Sequence, residues 1–274
     1  MKWFSCALIV LLVSGCQRNH YDMNDIYAKY GNGSENTAAY IEKAAALKVY
    51  FGHQSVGFNI IDGIEKWEAE TGVQIAIVET KDLSSGADAS LVHFRVGKNQ
   101  NPLSKVDEFV SLVGQIPNEG NPVAFFKFCY VDFTSKTDVD EVYAHYKKKM
   151  LYLMESYPYI RFAASTVPYM GKQRGAKALA KKVLGRASSA YLDNKKREDF
   201  NKKLIADFKG VLPIFDLGGI EATLPDGTPV TYTQDGKVFP LMPNIYTYDM
   251  GHLTEHGART LGYNLLAFLA GEFN

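Results

Sequence analysis

Short apolar runs alternate with helical patterns along most of the chain, and this alternation restricts the possible fold more than any other feature. The runs predict strands at 47–51, 73–79, 122–131, 159–166 and 211–217. Apolar residues spaced three and four apart predict helices at about 56–71, 104–115, 138–156, 194–208 and 255–269. Strands that alternate with helices form a parallel sheet covered on both faces. We therefore predict an α/β protein, a three-layer α/β/α sandwich with a mainly parallel sheet, over residues 37–274.

The N-terminus carries a targeting signal. A lysine precedes the apolar run WFSCALIVLLV, which has the length of a secretory signal core and is too short to span a bilayer. The run ends in VSGC, which resembles a bacterial lipobox with small residues at Ser14 and Gly15 and a thiol at Cys16. We expect a lipoprotein signal peptide at 1–15, lipidation of Cys16 and a polar tether over 16–36. An ordinary signal peptide with an incidental cysteine is the alternative.

The remaining cysteines agree with export to the cell envelope. Cys6 would leave with the signal and Cys16 would carry lipid, so Cys129 has no disulfide partner. Cys129 ends an apolar run, which favours a buried structural thiol over a nucleophile. By resemblance to bacterial sorting, Gln17 after the cysteine predicts the outer membrane, on its periplasmic or surface face. The membrane contact would then be the lipid anchor.

The charge balance argues against a nucleic-acid partner. Thirty basic and thirty acidic residues give a formal net charge of zero. Residues 172–203 hold eleven basic and three acidic residues, a pattern that favours a solvated helical face over a contact with an acidic glycan. The stretch GHQSVG lacks the Gly-Lys-Ser/Thr ending of a phosphate-binding loop, so nucleotide binding is not supported.

The stretch YFGHQSVGFN places Ser55 at the end of the first predicted strand and at the start of a helix. There the hydroxyl is exposed, and the amides of the helix start face any negative charge that forms beside it. A serine nucleophile needs a base and a group that orients this base. Asp249 and His252, three residues apart, can supply both from one side of a turn. We predict Ser55 as nucleophile, His252 as general base and acid, and Asp249 as the orienting carboxylate.

Each of these residues also has a structural explanation. A serine that enters a helix is commonly its N-cap, and Asp249 with His252 could form a local hydrogen bond. His252 and His256 are four residues apart and could form half of a metal site. No third ligand at a diagnostic spacing accompanies them, so we rank a metal site below the triad and predict neither metal nor organic cofactor.

The order of these motifs resembles the SGNH hydrolase superfamily, also called GDSL esterases, whose serine follows the first strand and whose Asp-x-x-His precedes the last helix. The resemblance implies a flavodoxin-like sheet and ester hydrolysis or acyl transfer through an acyl-serine. An α/β-hydrolase is disfavoured, because its serine follows several strands within Gly-x-Ser-x-Gly. The family's Gly-Asp-Ser is here His53-Gln54-Ser55, so only the serine matches.

The oxyanion donors of that family are matched only in part. Its donor glycine after the second strand could be Gly86 or Gly97. Its third block, Gly-x-Asn-Asp, is replaced by CYVD, so Val131 stands at the asparagine and only the aspartate matches. Loss of one donor costs on the order of a hundredfold to a thousandfold in rate, so a substitute is expected unless activity is low. Loop amides are the candidates, and each could instead be solvated. The expected oxyanion and substrate-binding set is Gly97, Gly86, Asn99, Gln54 and Asp132.

The expected function is hydrolysis of a carbohydrate O-acyl or acetyl ester in the cell envelope. An acylated glycan is the expected substrate by analogy with the family. The alternatives are a non-catalytic glycan-binding or envelope-organising lipoprotein, suggested by Val131, and an O-acyltransferase. Two Asp-Gly turns in residues 223–242 also predict a hairpin that shapes one wall of the site.

Overall fold

The structure is a computed structural model that describes residues 36–86, 88–172 and 190–274. The predicted signal peptide, Cys16 and all but the last residue of the tether lie outside the described residues, as does more than half of the basic stretch 172–203. Within the part of the chain that the structure describes, no helix is both long and apolar enough to cross a bilayer.

The central sheet has five parallel strands in the order β2-β3-β1-β4-β5. The strands are β1 (Val49–His53), β2 (Ile77–Glu79), β3 (Leu91–Arg95), β4 (Val123–Phe126) and β5 (Arg161–Phe162). In the described ranges two smaller sheets accompany it, a parallel pair and an antiparallel hairpin. Their strands are β6 (Ala164–Ser165) with β7 (Ile214–Phe215), and β8 (Thr231–Gln234) with β9 (Lys237–Pro240). The predicted hairpin is therefore present. Its strands join at the second Asp-Gly turn.

Helices cover both faces of the sheet. In chain order those of the described ranges are α1 (Thr37–Ala45), α2 (Val56–Thr71), α3 (Pro102–Val113), α4 (Val139–Ser156), α5 (Asn194–Phe208), α6 (Leu217–Glu221) and α7 (Glu255–Glu272). Alternate residues of β1 point to opposite faces. Val49 and Phe51 pack with α1, α2 and α7, and Tyr50 packs with α3, α4 and α5. The predicted three-layer α/β/α sandwich is confirmed.

The sequence predicted no strand between 73–79 and the helix near 104–115, and this was wrong, because β3 lies there. His93 and Arg95 interrupt the apolar pattern of this strand, although the His93 side chain is buried. The third predicted strand also ends early, at Phe126, since a 3-10 turn follows at Tyr130–Asp132. Helix α1 was missed, whereas α2 and α5 have the predicted bounds.

Two glycines let α2 and α7 cross in close contact. A Cβ at Gly63 would lie 2.0 Å from the carbonyl oxygen of Ala258, and a Cβ at Gly262 would lie 2.8 Å from the carbonyl carbon of Gly63. Helix α2 begins directly after Ser55, and α7 begins three residues after His252. This crossing therefore holds the two ends of the domain together at the carboxyl edge of the sheet.

We expect Gly63→Leu to lower the free energy of unfolding by about 3 kcal/mol, because the α7 backbone must move to admit the side chain. Urea unfolding followed by circular dichroism measures this change. Gly271→Ala, at a helical glycine with open space around it, is the matched control and should leave the midpoint unchanged or slightly higher. Equal midpoints for Gly63→Leu and the wild type would show that the helices do not depend on this contact.

Candidate active site

Ser55 occupies a strained turn between β1 and α2. Its backbone angles are φ 47° and ψ −104°, outside the regions that residues other than glycine commonly adopt. The side chain makes no hydrogen bond to the amides of α2, so the structure does not support the N-cap explanation. Instead, Ser55 Oγ lies 2.7 Å from His252 Nε2, a residue 197 positions away in the sequence.

A buried pair of histidines supports the strand that leads to Ser55. His53 Nε2 lies 3.0 Å from His93 Nδ1, and the His53 side chain is fully buried. Burial, with a further contribution from the Lys127 charge, lowers the pKa of His53 well below its ordinary value, so the ring is neutral. Gly57 is required beside this ring, since a Cβ there would lie 2.2 Å from His53 Cγ. The imidazole of His53 is therefore a structural group that packs against the first turn of α2.

Asp249 orients His252. Its Oδ2 lies 2.7 Å from His252 Nδ1, and its Oδ1 accepts from the backbone N–H groups of Gly251 at 3.0 Å and His252 at 2.7 Å. Burial tends to raise the pKa of Asp249, but the hydrogen bonds from His252 and Gly251 outweigh it and the pKa is lowered. The ionised carboxylate holds a proton on Nδ1, which leaves the Nε2 lone pair for Ser55. Both ring nitrogens of His252 are thus engaged, Nδ1 with Asp249 and Nε2 with Ser55.

Two tyrosines flank the imidazole of His252. The ring of Tyr130 lies edge-on to it at 6.1 Å between centroids, and the ring of Tyr248 lies within 19° of parallel at 6.2 Å. Tyr130 is buried against Gly251, where a Cβ would lie 2.2 Å from Tyr130 Cζ. Tyr248 is exposed. Sequence reasoning missed both tyrosines, although Tyr248 directly precedes Asp249.

Three of the predicted oxyanion groups are placed differently from the expectation. Gln54 Nε2 donates to the Gly97 carbonyl at 2.9 Å, so this amide holds the loop after β3. The Gly97 N–H donates to Glu108 Oε2 at 2.5 Å. Gly86 packs against Val92 near the start of β3, where a Cβ would lie 2.6 Å from Val92 Cγ2. These contacts correct the expectation, because the N–H donors of Gln54 and Gly97 are engaged and Gly86 lies away from the carboxyl end of the strand.

Asp132 anchors the loop that carries Asn99. Lys105 Nζ donates to Asp132 Oδ2 at 2.5 Å and to Asn99 Oδ1 at 2.9 Å. The side chains of Lys105 and Asp132 are both fully buried. Asp132 also accepts from the backbone N–H groups of Cys129 at 2.7 Å and Gln100 at 2.9 Å. The structure thus gives Asp132 an anchoring position in place of the expected substrate contact.

Asn99 retains free donors. The side-chain oxygen of Asn99, Oδ1, accepts from Lys105 Nζ, which leaves the N–H groups of Nδ2 as the side-chain donors. Neither Nδ2 nor the Asn99 backbone N–H donates to a group within the described ranges. The loop adjoins Ser55 through Gln54, which precedes the serine and bonds the Gly97 carbonyl. Sequence reasoning missed Lys105, whose signal was a lysine on the otherwise apolar face of α3.

The third family block contributes no polar side chain at its asparagine position. Val131 is half-buried and packs against the core beneath α2 and α7. The neighbouring Cys129 is fully buried, with its Sγ 3.7 Å from the Gln54 carbonyl oxygen. This placement is that of a structural thiol. Any donor that replaces the asparagine must therefore come from outside this block.

Neither a family model nor a curated protein matches the chain. Solved structures similar to it include the periplasmic domain of a Salmonella ser. Paratyphi A lipopolysaccharide acetyltransferase, with 14% identity and a TM-score of 0.46, covering 88% of this chain and 95% of that one. Another is a member of the lipolytic protein G-D-S-L family from Veillonella parvula, with 14% identity and a TM-score of 0.41, covering 80% of this chain and 95% of that one.

Proposed function

We propose that this protein is a serine esterase or acyltransferase of the SGNH type. The observation that supports the proposal is a continuous relay of two 2.7 Å contacts, from Ser55 Oγ to His252 Nε2 and from His252 Nδ1 to Asp249 Oδ2. A local Asp–His hydrogen bond does not account for the first contact, which joins distant parts of the chain. Nucleophile, base and orienting group are thus in the geometry that acyl transfer requires.

In the first half of the reaction, Ser55 Oγ attacks the ester carbonyl carbon while His252 Nε2 accepts the hydroxyl proton. Asp249 stabilises the imidazolium that forms. When the tetrahedral intermediate collapses, the bond between the carbonyl carbon and the alcohol oxygen breaks, and His252 returns the proton to the departing alcohol. The product is an ester of Ser55 with the acyl group.

In the second half, a hydroxyl group attacks the acyl-Ser55 carbonyl. His252 accepts its proton and then returns a proton to Ser55 Oγ as the acyl bond breaks. Water as the attacking group gives hydrolysis, and a sugar hydroxyl gives acyl transfer. The same three residues serve both outcomes, so occupancy of the space beside His252 decides between them.

The negative charge on the carbonyl oxygen needs N–H donors fixed in advance. We assign this role to the backbone N–H of Ser55 and to the free N–H groups of Asn99, which donate to no other group in the described ranges. Lys105 supports Asn99 from behind, because its Nζ holds Asn99 Oδ1 at 2.9 Å. In this proposal Asn99 supplies the donor that the family's asparagine would supply at position 131, where this chain has a valine.

For the substrate, we propose an O-acylated, in particular O-acetylated, glycan of the cell envelope. The predicted lipobox at Cys16 supports this choice, because a lipid anchor would keep the enzyme beside envelope polysaccharides. We propose an outer-membrane position on the basis of Gln17. The competing function is a glycan-binding or envelope-organising lipoprotein without turnover, and Val131 is the observation that favours it.

A fluorophosphonate probe, which labels only an activated serine, tests the proposed function. With full-length protein in detergent, we expect covalent labelling at Ser55, identified by mass spectrometry of the labelled peptide. The Ser111→Ala variant, which removes an exposed serine on α3, should label like the wild type, and Ser55→Ala should not label. A wild-type protein that unfolds cooperatively but leaves Ser55 unlabelled would support the competing function.

A further inference from the structure

Tyr248 exposes an aromatic ring beside the proposed catalytic residues. Its side chain is 70% exposed, more than any other large hydrophobic residue within the described ranges. It directly precedes Asp249 in the sequence. Its hydroxyl makes no hydrogen bond to a described residue. An exposed aromatic ring beside reactive side chains is available for a ligand.

The ring of Tyr248 is aligned with the imidazole of His252. The two rings lie within 19° of parallel with 6.2 Å between their centroids. The backbone N–H of Tyr248 donates to the His252 carbonyl at 3.4 Å, which ties the two residues across the turn. Partial desolvation and the nearby Asp249 charge raise the pKa of Tyr248. A tyrosine hydroxyl is protonated at neutral pH even without this shift, so it can donate a hydrogen bond.

The proposed reaction determines which half of the substrate meets this ring. His252 Nε2 returns its proton to the departing alcohol, so the alcohol oxygen must lie within hydrogen-bond reach of Nε2. The carbonyl oxygen lies instead towards the donors of Ser55 and Asn99. Because Tyr248 stands beside His252, it would border the alcohol half of an ester bound in this way.

We infer that Tyr248 is a binding platform for a sugar ring, the alcohol half of an O-acylated glycan; this rests on the proposed function. A pyranose has a flat face of C–H groups that packs on an aromatic ring, and its hydroxyls can bond the tyrosine hydroxyl. A linear alcohol offers neither contact. The same platform would hold the accepting sugar in acyl transfer.

Two acetate esters that differ only in their alcohol test the inference: an acetylated methyl glucoside and ethyl acetate. In full-length protein, Tyr248→Ala should lower kcat/KM for the sugar ester about tenfold and change that for ethyl acetate less than twofold. Tyr248→Trp should retain most of the activity on the sugar ester. Tyr152→Ala removes an exposed tyrosine on α4 and serves as the control with no change on either ester.

Binding provides a second readout that does not need turnover. In a Ser55→Ala background, adding Tyr248→Ala should weaken binding of the acetylated methyl glucoside about tenfold by calorimetry. If Tyr248→Ala lost kcat/KM equally on both esters, or on neither, the inference would be overturned. A loss on phenyl acetate equal to that on the sugar ester would also overturn it, because it would indicate an aromatic alcohol. If binding depended on Tyr248 but no hydrolysis depended on Ser55, the proposed function alone would be wrong. Absence of both would sink both.

Discussion

Ser55→Ala is expected to reduce kcat for ester hydrolysis by about four to six orders of magnitude while the protein remains folded. The variant removes the only atom that can form the acyl intermediate in the proposed reaction. The 2.7 Å contact between Ser55 Oγ and His252 Nε2 is a single hydrogen bond at a half-exposed position, so its loss should change the free energy of unfolding by about 1 kcal/mol or less. Initial rates on an acetyl ester and urea unfolding measure the two effects separately.

The control for this prediction is Ser111→Ala, which should retain the wild-type rate. His252→Ala should cost about as much as Ser55→Ala, and the double variant should lose little more, because residues that act as a unit are not additive. If Ser55→Ala kept a tenth or more of the wild-type rate, ester cleavage would have to occur elsewhere on the protein.

The contact between Ser55 and His252 could be predicted because it follows from chain order. In a parallel sheet the carboxyl ends of the strands share one edge, so a serine after the first strand and a histidine before the last helix can meet there. The crossing of α2 and α7 at Gly63 and Gly262 fixes that meeting, and neither glycine was recognised in the sequence. A close helix contact depends on which helices are neighbours, which a single helical pattern does not encode.

The hydrogen-bond partners of the expected oxyanion donors could not be predicted in the same way. Gly97 looked like a free donor, but Glu108 on α3 takes its N–H. Asp132 matched a family position, and the structure gives it a buried lysine as partner. Both partners, Glu108 and Lys105, lie on α3, which packs over the loop. A short sequence motif does not predict contacts of this kind. Strand β3 was also missed, because His93 and Arg95 interrupt its apolar pattern. The start of the loop that follows it could therefore not be located from the sequence.

The loop that carries Asn99 is held by charged groups. Glu108 accepts the Gly97 N–H, Asp132 accepts the Gln100 N–H, and Lys105 joins Asp132 to Asn99. A buried ion pair adds little net stability compared with apolar residues, but it fixes geometry when its hydrogen bonds are satisfied. We interpret this network as the group of contacts that keeps Asn99 in place. In the family that the motifs resemble, the corresponding donor is the asparagine of the third block.

Lys105→Met is therefore expected to lower the free energy of unfolding by about 3 to 5 kcal/mol, because Asp132 stays buried without its cation. It should also lower kcat by about a hundredfold, since Asn99 loses the partner that orients its amide. Urea unfolding and ester hydrolysis measure the two losses. Lys66→Met, which breaks an exposed pair with Glu255, should change the free energy of unfolding by less than about 1 kcal/mol and leave the rate unchanged.

A second substitution separates charge burial from positioning. In Lys105→Met/Asp132→Leu no charge is left buried at this position, so much of the lost stability should return. The rate should not return, because Asn99 Oδ1 and the N–H groups of Gln100 and Cys129 still lack their partners. If the double variant regained both stability and rate, the loop would hold Asn99 without the ion pair, and the role assigned to Lys105 would be wrong.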